Sequence, residues 1–456
     1  MSSPVSTPLT RRIIEEYASL ERTLASSGAA AARRRAAIAA LAATGLPTSR
    51  DENWKYANLR ALERQRFSPA TAAQPPRVPV ELPPGLADFA RYVFVDGVFA
   101  ASASAALNAT PATVTLESEP PAPAPQVAPA PQAAPAAQLP PAGPSAPAAA
   151  GAGDERFALL NEAFATGGVG IRVPAGTAQP VRLELLFVAS ADTLAGASYP
   201  RVQLRLDANA SLMLIERQVS AAAEASFVTS AVSVELGRGA SLQHYRLQAL
   251  NARSTLFDTL SAEVAQDASY RLHGVNTGAQ AARSTIAVRL GGERADLMLA
   301  VVALGDRQQV QDTFARVEHA AARTRTVQSF RGISAGRARL GFNGKIVVAR
   351  GAHGSDSQQS LRGLLAGPEA EIDVRPQLEI YTDEVRCSHG ATAGKLDENM
   401  LFYLLSRGLA PEAAQRLLKW AFLEDVIAQI TLPALRRQIE EHLAAQLRDD
   451  ALRELL

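Results

Sequence analysis

The sequence predicts a mainly β chain with helical ends: a right-handed β-helix, or β-solenoid, flanked by N-terminal and C-terminal α-helical domains. Three observations carry that expectation. A short phrase recurs in the middle of the chain, at Ala210-Ser-Leu212, Ala240-Ser-Leu242, Ala268-Ser-Tyr270 and Ala295-Asp-Leu297, with starts 30, 28 and 27 residues apart. Each copy follows a polar or glycine-containing turn and opens a strand, as stacked coils with a small residue at a fixed corner require. Helical periodicity replaces the strand pattern at both ends. A two-sheet sandwich would also show many short strands, but gives no reason for a repeated corner phrase.

Taken in order, residues 8–45 read as helix. Ile13, Ile14, Tyr17 and Leu20 recur at three- and four-residue spacing, and the alanine-dense run 29–43 favours helix until Gly45 and Pro47 stop it. Arg33, Arg34 and Arg35 on that pattern are expected to form a solvated face. Trp54, Tyr56 and Leu59, set among charges, are expected to anchor a small domain, so that 1–90 forms an N-terminal helical region. Asp96-Gly97 signals a hairpin turn, and 91–117 reads as a short β segment.

Residues 118–153 differ from everything else. Eleven prolines lie between Pro120 and Pro147 among alanines, and no charge separates Glu119 from Asp154. Proline removes donors and alanine offers little area to offset chain entropy, so a disordered or polyproline-like linker is expected. A short helix over 154–164 then leads into the solenoid, which runs to residue 394 and continues its phrase, less regularly, through Ala338-Arg-Leu340 and Ala370-Glu-Ile372.

Residues 395–456 return to helix. Leu401, Leu404 and Leu405 share a face, Gly408 sits where a C-terminal cap belongs, and Pro411 and Pro433 are placed to open a second and a third helix, the last running towards Leu456. Trp420 and Phe422 lie two apart and cannot share one narrow face, which points to a second apolar surface for a partner.

Composition excludes several functions. The net charge of +1 leaves no positive excess to neutralise phosphates, which argues against nucleic acid. A single cysteine rules out an intrachain disulfide framework, no window approaches the roughly 18 apolar residues of a membrane span, and the first residues lack a signal-peptide pattern. A cytoplasmic protein is expected. Gly167-Gly-Val-Gly170 precedes a strand and not a helix, so it fails as a phosphate loop, and no Walker motif occurs. His353 and Asp356 in a polar loop lack the nucleophile turn of a hydrolase. His244, His273 and His319 fall on or beside strands, where satisfied hydrogen bonding is the ordinary role.

The one chemically suggestive pair is Cys387 and His389, followed by the small run Gly390 to Gly394. Residues two apart in a strand project to one face, so thiolate and imidazole would stand side by side as two donors. Clusters and structural zinc want about four ligands, and no second set is close in sequence. A metal here would be shared with a partner; otherwise Cys387 is a small buried hydrophobe and His389 a surface residue.

The run from Pro376 to Val426, containing Tyr381-Thr-Asp-Glu-Val-Arg-Cys-Ser-His-Gly, resembles the SufB/SufD family of iron–sulfur cluster assembly subunits, SufD more than the cysteine-richer SufB. Residues 45–59 and 160–176 resemble it as well. The resemblance implies a β-helix core between helical ends and a non-catalytic scaffold subunit. It implies pairing with a SufB-like subunit, self-pairing of two copies in isolation, and docking of a SufC-like ATPase on the C-terminal helices, where Leu401, Phe402, Leu405, Trp420 and Phe422 are assigned. Cys387 and His389 would be a half-site for a transient iron–sulfur cluster at the subunit interface, His389 the more readily released ligand. ATP would enter only through the partner ATPase, and no permanently bound cofactor is expected. Asp383 and Glu384 are expected to be solvated. Two rivals stand beside this expectation: an adaptor without a ligand role, and a carbohydrate-active solenoid, disfavoured because Asp207, Glu235, Asp267 and Asp296 are scattered or at turns.

Overall fold

A computed structural model describes residues 7–22, 24, 28–48, 51–57, 59–69, 81–105, 112–117, 156–177, 179–190 and 197–447. The proline- and alanine-rich stretch 118–153 lies outside them, as does the chain beyond 447 that the third C-terminal helix was expected to occupy. In chain order the strands are β1 (Ala90–Val95), β2 (Val98–Phe99), β3 (Thr113–Glu117), β4 (Gly168–Val173), β5 (Val181–Ala189), β6 (Arg201–Leu206), β7 (Ser211–Ser220), β8 (Phe227–Leu236), β9 (Ser241–Ala249), β10 (Thr255–Val264), β11 (Ser269–Asn276), β12 (Ala281–Leu290), β13 (Asp296–Gly305), β14 (Val310–His319), β15 (Arg325–Ser334), β16 (Arg339–Val348), β17 (Asp356–Leu365), β18 (Glu371–Ile380) and β19 (Arg386–Gly394).

From β4 onward the chain alternates between two sheets and each strand pairs in parallel with the next-but-one, which makes a β-solenoid. One sheet runs β2-β1-β5-β7-β9-β11-β13-β15-β17-β19, the other β3-β4-β6-β8-β10-β12-β14-β16-β18. The hairpin at Asp96-Gly97 forms with φ of 52° and 85°, the double left-handed turn that such a pair favours. Its strand β1 also pairs in parallel with β5, and β3 pairs antiparallel with β4, so the 91–117 segment extends both sheets.

The recurring phrase is a physical corner. Ser211, Ser241, Ser269 and Asp296 are in register, and the column continues through Arg325, Asp356 and Arg386. The residue two places before each of these is left-handed: Asn209, Gly239, Asp267, Arg294, Arg323, Gly354 and Glu384. From Asn209 to Gly354 the N–H of this residue donates to a turn carbonyl of the following coil, Asn209 to Arg238 and Arg323 to His353 among them. The small residue after it is therefore set by a repeated backbone bond. Ala338 and Ala370, expected to continue the same column, instead precede β16 and β18 on the opposite sheet; the true successors of Ala295 are Thr324, Ser355 and Val385.

Inward positions form one apolar core, among them Leu183, Leu212, Leu242, Leu272, Leu299, Phe330 and Phe342. Helices cover the outer faces. At the N-terminus α1 (Pro8–Leu20), α2 (Gly28–Thr44) and, later in the chain, α3 (Arg156–Phe164) pack with Trp54 against Phe227 and Phe257 of the nine-stranded sheet. Trp54 stacks on Phe257 at 6.3 Å between ring centroids and takes the Arg283 guanidinium over its face at 4.4 Å, so it anchors the helical region to the solenoid. Arg34 departs from the expected solvated face. It is buried, and donates to the carbonyls of Leu24 and Ala165 at 2.7 and 2.6 Å, while Arg33 pairs with Glu162.

At the other end, α4 (Glu398–Ser406), α5 (Pro411–Ile427) and α6 (Pro433–Gln446) follow the solenoid, with Pro411 and Pro433 each at the start of a helix. Gly408 has φ 91°, its N–H donates to Leu405, and that of Leu409 reaches back to Leu404, a Schellman stop. Helices α5 and α6 pack their apolar faces on the ten-stranded sheet and are pinned by Arg331 to Asp425, Arg217 to Gln438, and His442 to Thr277. Helix α4 has no buried residue.

Candidate functional site

Two inward columns of the ten-stranded sheet lead to the site. The first reads Val181, Leu212, Leu242, Tyr270, Leu297, Thr326, Ser357, Cys387, and the second Leu183, Leu214, His244, Leu272, Leu299, Gln328, Gln359, His389. Cys387 and His389 are thus the last rung of two adjacent columns, on β19, at the end of the sheet. The side-by-side placement expected from spacing follows directly, with Cα atoms about 6.6 Å apart along an extended strand. Cys387 is half-buried against the core and His389 is exposed. Burial, helped by Asp356, pushes the Cys387 thiol up from its ordinary value, so the free thiol is protonated at neutral pH and binding a cation would have to displace that proton. Asp383 and Glu384 are exposed in the preceding turn.

Among the described residues no group of three or more His, Cys, Asp or Glu side chains is placed to hold a metal ion. Cys387 and His389 are a soft and a borderline donor at the mouth of the solenoid, suited to iron or zinc but short of a full set. The strands there, β18 and β19, are the terminal strands of their sheets and leave one edge each unpaired.

Sequence reasoning missed a second constellation. Glu216, His244, Arg246 and Asp258 come from β7, β9 and β10, and converge inside the middle coils. Arg246 donates to Glu216 at 2.7 and 3.2 Å and to Asp258 at 2.6 and 2.8 Å. His244 faces the Tyr270 hydroxyl at 3.1 Å and Glu216 at 3.3 Å, and Ser230 donates to Asp258. Burial alone would raise the Glu216 carboxyl, but Arg246 and the bond from His244 outweigh it and hold it at about 2. Charged residues at inward parity, Glu216 after Leu212 and Leu214 and Arg246 after Leu242, are the signal that could have found it.

The other histidines are structural. Burial lowers both His273 and His319 to about 4, Arg271 adding to the effect at His273 and Asp356 opposing it at His319. His353 is exposed in a turn, while Ser355 is buried and bonded to Thr324 and Ala352, so no hydrolytic arrangement forms around them. The two depressed values set an expected pH dependence. Below pH 6.5 the unfolded chain takes up protons that the folded chain refuses until about pH 4, so stability is full above 6.5 and falls as the pH drops through that window. Two histidines lowered from 6.5 to about 4 amount to as much as about 3 kcal/mol each. Thermal melts at pH 8, 7, 6 and 5 should show a plateau and then a steep decline; a flat profile to pH 5 would contradict these burials.

Comparison with known proteins now bears on the same residues. The family model "SUF system FeS cluster assembly, SufBD core domain" matches residues 187–422, which contain the solenoid from β6 onward, Cys387, His389 and α4. The iron–sulfur cluster assembly protein SufD of Escherichia coli is 30% identical over 87% of this chain and 88% of its own length. The chain belongs to the SufB/SufD family. A SufBD family protein of Synechocystis is 28% identical over 87% of this chain and 86% of its own length, and the SufB of Bacillus subtilis is 25% identical over 61% and 60%. Membership of the SufB/SufD family makes this chain a component of SUF-system iron–sulfur cluster assembly. No described helix is long and apolar enough to cross a membrane.

The five residues assigned to partner docking divide. Phe402 is 73% exposed and Leu405 37% exposed on α4, beside Met400 and Tyr403, which are also exposed. Leu401 is half-buried, and Trp420 and Phe422 are half-buried against the cluster that fastens α5 and α6 to the solenoid. Of the five, the two exposed ones, Phe402 and Leu405, therefore both lie on α4, although Leu417 of α5 is also 45% exposed.

Proposed function

We propose that this chain is a scaffold subunit that pairs with a SufB-like subunit through the open end of its solenoid, docks a SufC-like ATPase on its C-terminal helices, and contributes Cys387 and His389 to a nascent cluster at the paired end. The observation that carries this reading is the coincidence of three features at one place: a thiol and an imidazole donor on the last rung, an incomplete ligand set among the described residues, and unpaired sheet edges. A partner strand laid on those edges would bring its own donors within reach of both side chains. His389, exposed, is the ligand that can release iron; Cys387 supplies a thiolate once its proton leaves. The cluster is cargo, and ATP is hydrolysed by the docked subunit. In the adaptor alternative, the same contacts form and the two donors are idle.

The ATPase contact has its own test. Phe402→Asp puts a charge on the most exposed apolar side chain of α4 and touches none of the buried clusters. The chain should fold with unchanged melting temperature, while its affinity for a co-expressed SufC-like ATPase should fall about 30-fold or more, the ~2 kcal/mol of an interface hot spot. Pull-down of wild type and variant reads this; equal capture of the ATPase would place its docking surface away from α4.

A further inference from the structure

The two inward columns change character just before the site. Through Leu297 and Leu299 all rungs but Tyr270 and His244 are aliphatic; the next two are Thr326 with Gln328 and Ser357 with Gln359. All four side chains are at least 96% buried, with relative exposures of 0, 0, 0 and 4%. Gln359 donates its amide to Gln328 Oε1 and to the Gly344 carbonyl of the opposite sheet, both at 2.9 Å, which places the amides inside the coil. Among the described residues, four polar atoms are then left with no partner: Thr326 Oγ1, Gln328 Nε2, Ser357 Oγ and Gln359 Oε1.

Such a group is costly unless something small completes it, at about 1–3 kcal/mol for each orphan. Unlike Thr324 and Ser355, whose hydroxyls bond directly at 2.8 Å, Thr326 Oγ1 and Ser357 Oγ do not bond each other; adjacent rungs of a parallel sheet lie about 4.8 Å apart, a step that a single bridging molecule about 2.8 Å from each hydroxyl would span. The atoms supply hydroxyls, one amide donor and one amide acceptor, with no formal charge. That set suits a neutral ligand with donors and acceptors of its own, and gives no compensation to a bare ion. Leu297 and Leu299 form the aliphatic rung below, and Cys387 and His389 stand on the rung above.

We propose that Thr326, Gln328, Ser357 and Gln359 form an internal site for ordered water beneath Cys387 and His389. Its water presents a hydrogen-bonding floor to whatever the two donors hold, and makes Ser357 and Gln359 positioning residues for that ion. The water site stands without the cluster reading; its coupling to the two donors rests on that reading.

The test uses the full chain and a near-isosteric Gln328→Leu/Gln359→Leu variant. In a high-resolution crystal structure of the wild type, solvent peaks are expected within hydrogen-bond distance of Ser357 Oγ and Gln359 Oε1. Magnetic relaxation dispersion in solution should show at least one fewer long-lived water in the variant. No solvent peak beside these four side chains in the wild type, or equal water counts in the two proteins, overturns the site. Should the double variant fail to fold, Ser357→Ala and the wild-type crystal structure decide the same question. Ferrous ion titrated anaerobically then addresses the coupling. A 10- to 100-fold weaker Kd in Gln359→Leu supports it, as outer-shell changes usually cost, and an unchanged Kd removes it. No binding of ferrous ion by the wild type would count against the half-site itself and leave the water result standing.

Discussion

Replacing Arg246 by Met should destabilise the chain by about 3–5 kcal/mol, the usual cost of stranding a buried charge. Among the described residues the arginine is the only cation shared by Glu216 and Asp258, which are 2% and 3% exposed in the middle of the solenoid. Removing it leaves two carboxylates facing each other in an apolar tube, beside His244, Ser230 and Tyr270. Denaturant unfolding at pH 7.5 reads the loss directly. A companion variant, Glu216→Gln/Arg246→Met/Asp258→Asn, removes all three charges and should recover much of the stability, because replacing a complete buried ion network by neutral groups is far less costly than breaking it. An Arg246→Met chain as stable as the wild type would mean that the network carries no weight.

The contrast between this network and the corner repeat shows what a sequence displays. Ala210, Ala240, Ala268 and Ala295 recur because one corner geometry is solved each time in the same way, so a fixed interval makes them visible. Beyond Ala295 the corner is filled by Thr324, Ser355 and Val385, and the eye moves to Ala338 and Ala370, which carry the same phrase on the other sheet. Small residues suit the corners of both sheets, and composition alone cannot tell them apart. Arg34 failed for a related reason: its neighbours Arg33 and Arg35 disguise the one member of the run that turns inward to cap Leu24 and Ala165. Glu216, Arg246 and Asp258 meet only because coils stack: inward parity marks Glu216 and Arg246 as buried charges, but no local pattern tells which coil supplies the partner.

The site was legible to a different degree. Spacing alone places Cys387 and His389 on one face, and the structure adds what spacing could not: that this face points into the solenoid, that the pair forms its last rung, and that the rungs below it are polar. The docking residues were half legible. An apolar stripe announces burial without saying against what, and Trp420 and Phe422 turn out to lie against the fastening of α5 and α6, whereas Phe402 and Leu405 remain open.

The central claim is that the exposed imidazole on the last rung holds part of a cluster. His389 makes no contact that the fold depends on, since its side chain is exposed and it belongs to no core cluster. His389→Ala should therefore leave folding and assembly unchanged. The measurement is an anaerobic purification of the tagged chain with its co-expressed SufB-like and ATPase partners, followed by iron and acid-labile sulfide determination, for wild type and His389→Ala side by side. Both complexes should carry the same subunits, and iron and sulfide should fall about tenfold or more in the variant, corresponding to a loss of at least ~1.4 kcal/mol in cluster binding. Equal iron and sulfide in two intact complexes would contradict the ligand role and leave the chain an adaptor.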